Sequence, residues 1–349
     1  MSTFDLAAGG DPDLVSRPRR NRRTAAIRSM CRETKLEVSQ LIYPMFLHAD
    51  ANDVPIASMP GQTRWSLDGL VGEVKRIYSL GVDKVVIFPK VDESLKTRTG
   101  DEAYNPDGLI PEAIQRIKDA SPETCVVTDV ALDPYSSDGH DGIVSDEGEI
   151  LNDETVAVLC EQALSHARAG ADIVAPSDMM DGRVGSIRAV LDQEGFSHTS
   201  IMSYTAKYAS AFYGPFRGAL DSAPKASSDR PIPKDKSTYQ MDPANVRDAL
   251  RELELDEGEG ADIVMVKPAG AYLDIIRALR DETNLPVAAY QVSGEYLMIK
   301  SAAEAGWLDE KAVVLESLLG IRRAGADIIL TYFAPQVAEW LQGGHATNP

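Results

Sequence analysis

LGVDKVVIFP (80–89), AGADIVAPSD (169–178), EGADIVMVKP (259–268) and AGADIILTYF (324–333) are four copies of one short word. Each places a glycine where a helix would end, then a turn, then a continuous apolar run. Glycine supplies the left-handed conformation that closes a helix, and an unbroken apolar run suits a parallel strand buried on both faces. The word therefore predicts a repeated strand-and-helix unit and an α/β fold. Four further runs fit the same role, so the strand candidates are 41–47, 84–89, 125–132, 171–177, 200–205, 261–267, 286–292 and 326–333. Amphipathic segments separate most of them. In 152–170, Asn152 and Asp153 are expected to cap the helix start and Gly170 to end it; 242–260 reads the same way. No glycine-rich dinucleotide or phosphate-loop fingerprint follows the first strand, which argues against an open doubly wound sheet. The expected architecture is a (β/α)8 TIM barrel over residues 39–349, preceded by an extended N-terminal arm over residues 1–38.

At 349 residues, with 44% hydrophobic and 26% charged side chains, the chain has the makings of a large soluble core. No apolar stretch approaches the roughly 20 residues that cross a bilayer, so no membrane span is expected. Cys31, Cys125 and Cys160 are scattered and odd in number, which predicts a reducing compartment and no disulfide framework. A net charge of −19 argues against nucleic acid as a partner. The exception is local: SRPRRNRRTAAIRSMCRETK (16–35) is strongly basic. A cationic arm on an acidic body reads as a strap gripping a neighbouring acidic subunit, with a nucleic-acid arm, a targeting segment or a disordered solvated tail as the alternatives. No apolar run of a secretory leader follows it, and Asp5, Asp11 and Asp13 depart from the acid-poor pattern of a transit peptide. The expected location is a bacterial cytoplasm, with a plastid stroma as the alternative.

In such a barrel the active site lies at the carboxyl ends of the strands. Asp129 and Asp133 stand after the third strand, Ser177 and Asp178 after the fourth, and Lys207 after the fifth. Lys267 follows the sixth, Ser293 the seventh, and Tyr332 ends the eighth. A lysine at the end of a buried strand loses solvation, and its amine becomes a nucleophile near neutral pH. One such lysine suggests a Schiff-base aldolase; two suggest an enzyme that holds two carbonyl substrates and joins them. Two amines in one bowl repel, so each lowers the other's pKa. Asp129, aimed at the lysines, suits proton transfer or orientation of an amine. The plain alternative is that each lysine reaches past its strand to solvent.

SYTAKYASAFYGPFR (203–217), MVKPAGAYLD (265–274), QVSGEY (291–296) and RRAGADIILTYF (322–333) resemble the porphobilinogen synthase family, also called 5-aminolevulinate dehydratase. The resemblance runs from about Arg17 to Leu341. It implies a lyase of heme and chlorophyll (tetrapyrrole) biosynthesis that condenses two molecules of 5-aminolevulinate into a pyrrole. By that resemblance, Lys267 would hold the substrate supplying the propionate half and Lys207 the one supplying the acetate half. Ser293 and Tyr332 would bind one substrate carboxylate; Arg217, Lys236 and Gln240 would bind the other. The Pro- and Ser-rich segment 221–240 would be a lid.

The resemblance also sets expectations about metal and assembly. Zinc-dependent members carry three cysteines at the positions of Ala131, Asp133 and Asp141. Carboxylates suit magnesium where thiolates suit zinc, so no catalytic zinc is expected, and Asp133 and Asp141 are candidate ligands of an active-site magnesium. Glu252 matches the position of an allosteric magnesium. A homo-octamer assembled through N-terminal arms is the expected partner state. Two departures stand out: Ala269 precedes Gly270 where the family commonly places glycine directly after the proline, and Lys236 replaces an arginine of some relatives. The competing readings are a one-lysine aldolase on the same barrel and a catalytically silent scaffold.

Overall fold

The computed structural model describes residues 15–225 and 229–343. The chain divides into two compact units, residues 1–35 and 36–349. Residues 1–14 of the expected arm lie outside the described residues. In the described part of the first unit, a 3-10 turn at Pro18–Arg22 precedes helix α1 (Ala25–Met30), and neither buries a residue. Thr24 caps α1, its Oγ1 accepting the Ile27 amide at 3.2 Å.

The second unit is built on eight strands: β1 (Leu41–His48), β2 (Lys84–Lys90), β3 (Cys125–Val130), β4 (Ile173–Pro176), β5 (Ser200–Lys207), β6 (Ile263–Lys267), β7 (Val287–Gln291) and β8 (Ile328–Thr331). Each pairs in parallel with the next, and β8 returns to β1 through Leu41 opposite Ile329 and Ile42 opposite Leu330, closing a barrel. The expected strands are all present; β4 begins at Ile173 rather than residue 171. Gly81, Gly170, Gly260 and Gly325 all have positive φ, as the repeated word requires.

The aspartate in that word has a structural job. Asp172, Asp262 and Asp327 each bind the preceding strand at two points. Their amides donate to the carbonyls of Val126, Ile201 and Val287, and their carboxylates accept the amides of the same three residues at 2.7, 2.8 and 3.0 Å. Each strand start is thereby pinned to its neighbour, which sets the register that delivers side chains to the far end.

Outside the barrel stand α2 (Leu67–Ser79), α3 (Leu109–Ala120), α4 (Asn152–Ala169), α5 (Arg183–Gln193), α6 (Gly214–Leu220), α7 (Arg247–Glu259), α8 (Leu273–Glu282), α9 (Ser293–Glu304), α10 (Glu310–Ala324) and α11 (Ala334–Gln342). α2 illustrates their logic. Ser66 Oγ caps it by accepting the Gly69 amide at 3.0 Å, and Leu70, Val74 and Ile77 line one face and are buried. Truncating Leu70 or Ile77 to alanine would cost about 2–5 kcal/mol. In α4 the expected cap fails: Leu151 is the cap residue and Asn152 lies inside the helix. The Asn152 side chain instead bridges to the Asp181 backbone, accepting its amide at 2.8 Å and donating to its carbonyl at 3.1 Å. Between β7 and β8 the chain forms two helices where the simple repeat predicts one. The first, α9, packs on α6 near the carboxyl ends of the strands.

Candidate active site

Lys207 and Lys267 end adjacent strands and stand directly opposite one another in the β5–β6 pairing. The pairing is irregular just before them. Ser203 opposes Val264, but Ala206 opposes Val266, so β5 carries one extra residue, a bulge at Tyr204–Thr205. A bulge re-aims the side chain it contains, and here Tyr204 lies beneath both amines. Its ring centroid is 5.0 Å from Lys267 Nζ and 5.9 Å from Lys207 Nζ.

The two amines have different surroundings. Lys267 Nζ is boxed by Tyr204, Tyr213 (5.3 Å), Phe216 (5.2 Å) and Tyr290 (4.6 Å), and no carboxylate lies within ion-pair distance among the described residues. Burial, reinforced by the Lys207 charge and opposed by Asp129, pulls its pKa down to about 7. Lys207 Nζ donates to the Ser177 carbonyl and stands 3.7 Å from Asp141 Oδ2. Asp129 is pushed up to about 6 by burial, against the pull of Lys207 and Lys267. Its Oδ1 has no hydrogen-bond partner among the described residues, and neither has the Tyr204 hydroxyl.

These groups line a cavity of about 30 Å3 together with Asp133, Asp141, Arg217, Lys236, Gln240 and Phe88. That is room for about one water, because Ser222, Lys236 and Gln240 close in over the bowl. Arg230 pairs with Asp138. His140 Nε2 is 2.9 Å from the Pro233 carbonyl, and its Nδ1 is 3.0 Å from the Tyr239 hydroxyl, which also accepts the Asp141 amide at 3.2 Å. A donor at His140 Nε2 and an acceptor at Nδ1 satisfy both contacts, so the neutral ring with its proton on Nε2 fits. Gly139 (φ 72°) passes so close to the Ala223 carbonyl that no side chain fits between them.

Lys236 Nζ stands 3.2 Å from both Asp133 Oδ2 and Asp141 Oδ1, and Gln240 Nε2 donates to Asp141 Oδ2 at 3.4 Å. Burial would raise Asp141, but the Lys207 and Lys236 charges hold its carboxyl well below the usual range; burial raises Asp133. The ammonium therefore occupies the position a cation would take between these carboxylates. With Lys236 in place Asp133 and Asp141 do not fit an active-site magnesium, and among the described residues no cluster of three or more His, Cys, Asp or Glu could hold a metal ion.

Ser293 and Tyr332 lie behind the wall of this cavity. Ser293 Oγ accepts the Phe216 amide at 3.0 Å, and the Tyr332 hydroxyl pairs with that of Tyr290 at 2.9 Å. Asp178 turns away from the bowl. It is fully buried, 3.6 Å from Arg183 Nε, and binds the Met180 amide at 2.7 Å. Its place after β4 holds, but the backbone reversal at Met179 (φ 67°) sends its carboxylate to the arginine instead. Glu252 lies on a separate cavity of about 510 Å3 that also holds Asp181, Asp242 and Asp248. Burial pushes Glu252 up to about 7 with help from Asp256, Asp181 and Asp248, against Arg183. These carboxylates share the cavity lining but, among the described residues, do not converge into a cluster that could hold a metal ion.

The aromatic box is what reading by strand ends missed. Tyr213 and Phe216 stand in the quoted stretch 203–217, but nothing in spacing alone says that they fold back over Lys267. The Ala269 departure is harmless: its φ of −96° suits alanine, and the close approach falls on Gly270 instead.

A family model described as Delta-aminolevulinic acid dehydratase matches residues 15–340. A relative from Physcomitrium patens, named "Delta-aminolevulinic acid dehydratase, chloroplastic", is 61% identical over 94% of this chain and 74% of its own length. One of the same name from Chlamydomonas reinhardtii is 58% identical over 95% and 86%. A solved structure from Toxoplasma gondii, a delta-aminolevulinic acid dehydratase (porphobilinogen synthase) in complex with the reaction product porphobilinogen, superposes with a TM-score of 0.92. It shares 52% identity and covers 95% of this chain and 93% of that one. The chloroplastic names overturn the expected bacterial cytoplasm. A receptor-read address leaves no mark on a catalytic barrel, so the barrel residues never carried that expectation.

Proposed function

The chain belongs to the delta-aminolevulinic acid dehydratase family, and from that premise we propose how its own residues carry out the family's reaction. The enzyme is a lyase, with the porphobilinogen synthase activity of tetrapyrrole biosynthesis, condensing two molecules of 5-aminolevulinate into porphobilinogen with loss of two waters. The observation that carries the mechanism is the pair of amines on adjacent rungs, one of them stripped of solvent and charge partners.

Lys267, with a pKa near 7, is substantially neutral at physiological pH and attacks the ketone of the substrate that supplies the propionate half. Lys207 takes the second ketone. Each attack expels one water as a Schiff base forms. Loss of a proton beside one imine gives an enamine, whose carbon adds to the other imine carbon. The free amine of the second substrate then adds to the first imine carbon and displaces its lysine. The remaining lysine leaves with a ring proton to give the pyrrole. Asp129, near 6 and with a free oxygen, accepts and returns protons between the two amines. Arg217 meets no carboxylate within ion-pair distance among the described residues and is free to receive a substrate carboxylate. Lys236 and Gln240 join it once the lid has opened, released Asp133 and Asp141, and closed again over substrate. Ser293 and Tyr332 serve the other carboxylate when it displaces the Phe216 and Tyr290 contacts that now occupy their hydroxyls.

Magnesium at Glu252 would rest on that carboxylate without a preformed cluster, and would act from outside the bowl. No zinc takes part, and the assembly is a homo-octamer held by the N-terminal arms. The plastid stroma is the working location, on the strength of the relatives' names. The deciding experiment is pyrrole formation from 5-aminolevulinate by metal-stripped protein, with magnesium and zinc added back in parallel. Borohydride trapping at Lys207 and Lys267 accompanies it. Product with magnesium and label at both lysines is expected. Folded protein that needs zinc, or that labels at neither lysine, would refute the mechanism.

A further inference from the structure

Glu295 sits in the first turn of α9, next to Ser293 and away from the cavity lining. Its carboxylate meets three main-chain amides and, among the described residues, no cation. Oε2 accepts the Val292 amide at 2.7 Å and the Ala269 amide at 3.4 Å, and Oε1 accepts the Gly270 amide at 2.5 Å. The first bond is an ordinary helix cap. The other two cross to a different loop, the one that leaves β6 directly after Lys267. A Cβ at residue 270 would stand 2.5 Å from Oε1, so the loop comes this close only because Gly270 has no side chain.

The same junction gathers other groups around the Lys267 amine. The Tyr213 hydroxyl donates to the Lys267 carbonyl at 3.2 Å. Ser293 Oγ holds the Phe216 amide, and Gly294 packs against the Phe212 backbone. The segments that carry Lys267, Tyr213 and Phe216 therefore converge on the start of α9, and Glu295 ties the Lys267 loop to it. We infer that Glu295 is a positioning residue for Lys267: by fixing the 269–270 turn it holds the amine inside its aromatic box, without touching substrate. This rests on the reading of Lys267 as a Schiff-base lysine.

Glu295→Gln separates this role from that of a helix cap. Glutamine keeps one acceptor oxygen, which serves the paired Val292 and Ala269 amides, while its NH2 faces the Gly270 amide donor to donor. The measurement is borohydride trapping with 5-aminolevulinate at pH 7, scored at each lysine by peptide mass, alongside kcat, KM and the unfolding midpoint. Trapping at Lys267 should fall about tenfold and kcat should fall more than KM rises, while Lys207 stays within about twofold. Gly270→Ala, which presses on the same oxygen, should give the same pattern. Equal labelling of Lys267 in the wild type and both variants overturns the inference. So does an equal loss at both lysines with a lowered midpoint, the signature of a cap alone. A wild-type protein that never labels at Lys267 refutes the Schiff-base reading, and the inference falls with it.

Discussion

Two chemically identical side chains on neighbouring rungs are made unequal by what surrounds them. Lys207 has a carbonyl and a carboxylate to hold its proton; Lys267 has four aromatic rings. Rings attract a cation but solvate it less well than water does, so the buried amine gives up its proton near pH 7. The rate of trapping at Lys267 should therefore climb as pH rises through about 6 to 8 and then level. A rate flat across that window would exclude a depressed lysine. The same shift has a stability consequence. An unfolded lysine titrates near 10.4, so between about 7 and 10 the unfolded chain binds more protons than the native one, and stability rises with pH there. Below 7 the full cost of the buried charge is present. Lys267→Met should thus be more stable than the wild type at pH 6, by about 1–2 kcal/mol, with the gain shrinking towards pH 10. Urea midpoints at pH 6 and 9.5 test this, and a variant less stable at pH 6 would contradict it. The lysines were legible in the sequence because a charge ending an apolar run is conspicuous. Their inequality was not, because the rings around Lys267 arrive from β5, the 211–213 turn, α6 and β7.

The eight strands could be read because a strand buried on both faces leaves an unbroken apolar run, and the repeated glycines marked the helix ends. The β5 bulge could not, since one extra residue in an apolar stretch changes no pattern visible along the chain. Asn152 was misread for a related reason: its side chain satisfies a loop distant in sequence instead of its own helix. Two elements invite direct tests. Asp262→Ala removes one of the strand clamps and leaves the Ile201 amide without its carboxylate partner. It should cost about 1–3 kcal/mol with kcat nearly intact; a large loss of activity at unchanged stability would show that the clamp is not structural. Ala223 approaches position 139 as closely as it does only because Gly139 has no side chain. Gly139→Ala should therefore lower kcat/KM by about tenfold or more with unchanged circular dichroism, and wild-type activity would mean that the closed lid is not the working state.

Across the whole molecule the salient quantity is charge. The chain carries −19 overall, yet residues 16–35 hold eight basic side chains against one acidic. Such an imbalance favours acidic partners over distances of about a Debye length and weakens with salt. Deleting residues 1–35 should lower the assembled mass measured by light scattering, and raising the salt on the full chain should push in the same direction. An unchanged mass in both would end the strap proposal. The barrel itself has a further consequence. Its two lysine amines are carried on hydrogen-bonded neighbours, and the interval between such strands, about 4.8 Å, is set by main-chain bonding and not by side chains. The sheet is thus a gauge block for the bond to be made. Trimming the pocket walls can admit bulkier ketones but leaves the gauge unchanged, and adding or deleting a residue at Tyr204–Thr205 would swing Lys207 to the opposite face. A descendant that joins differently spaced carbonyls must therefore move a lysine to another strand instead of enlarging the cavity it already has.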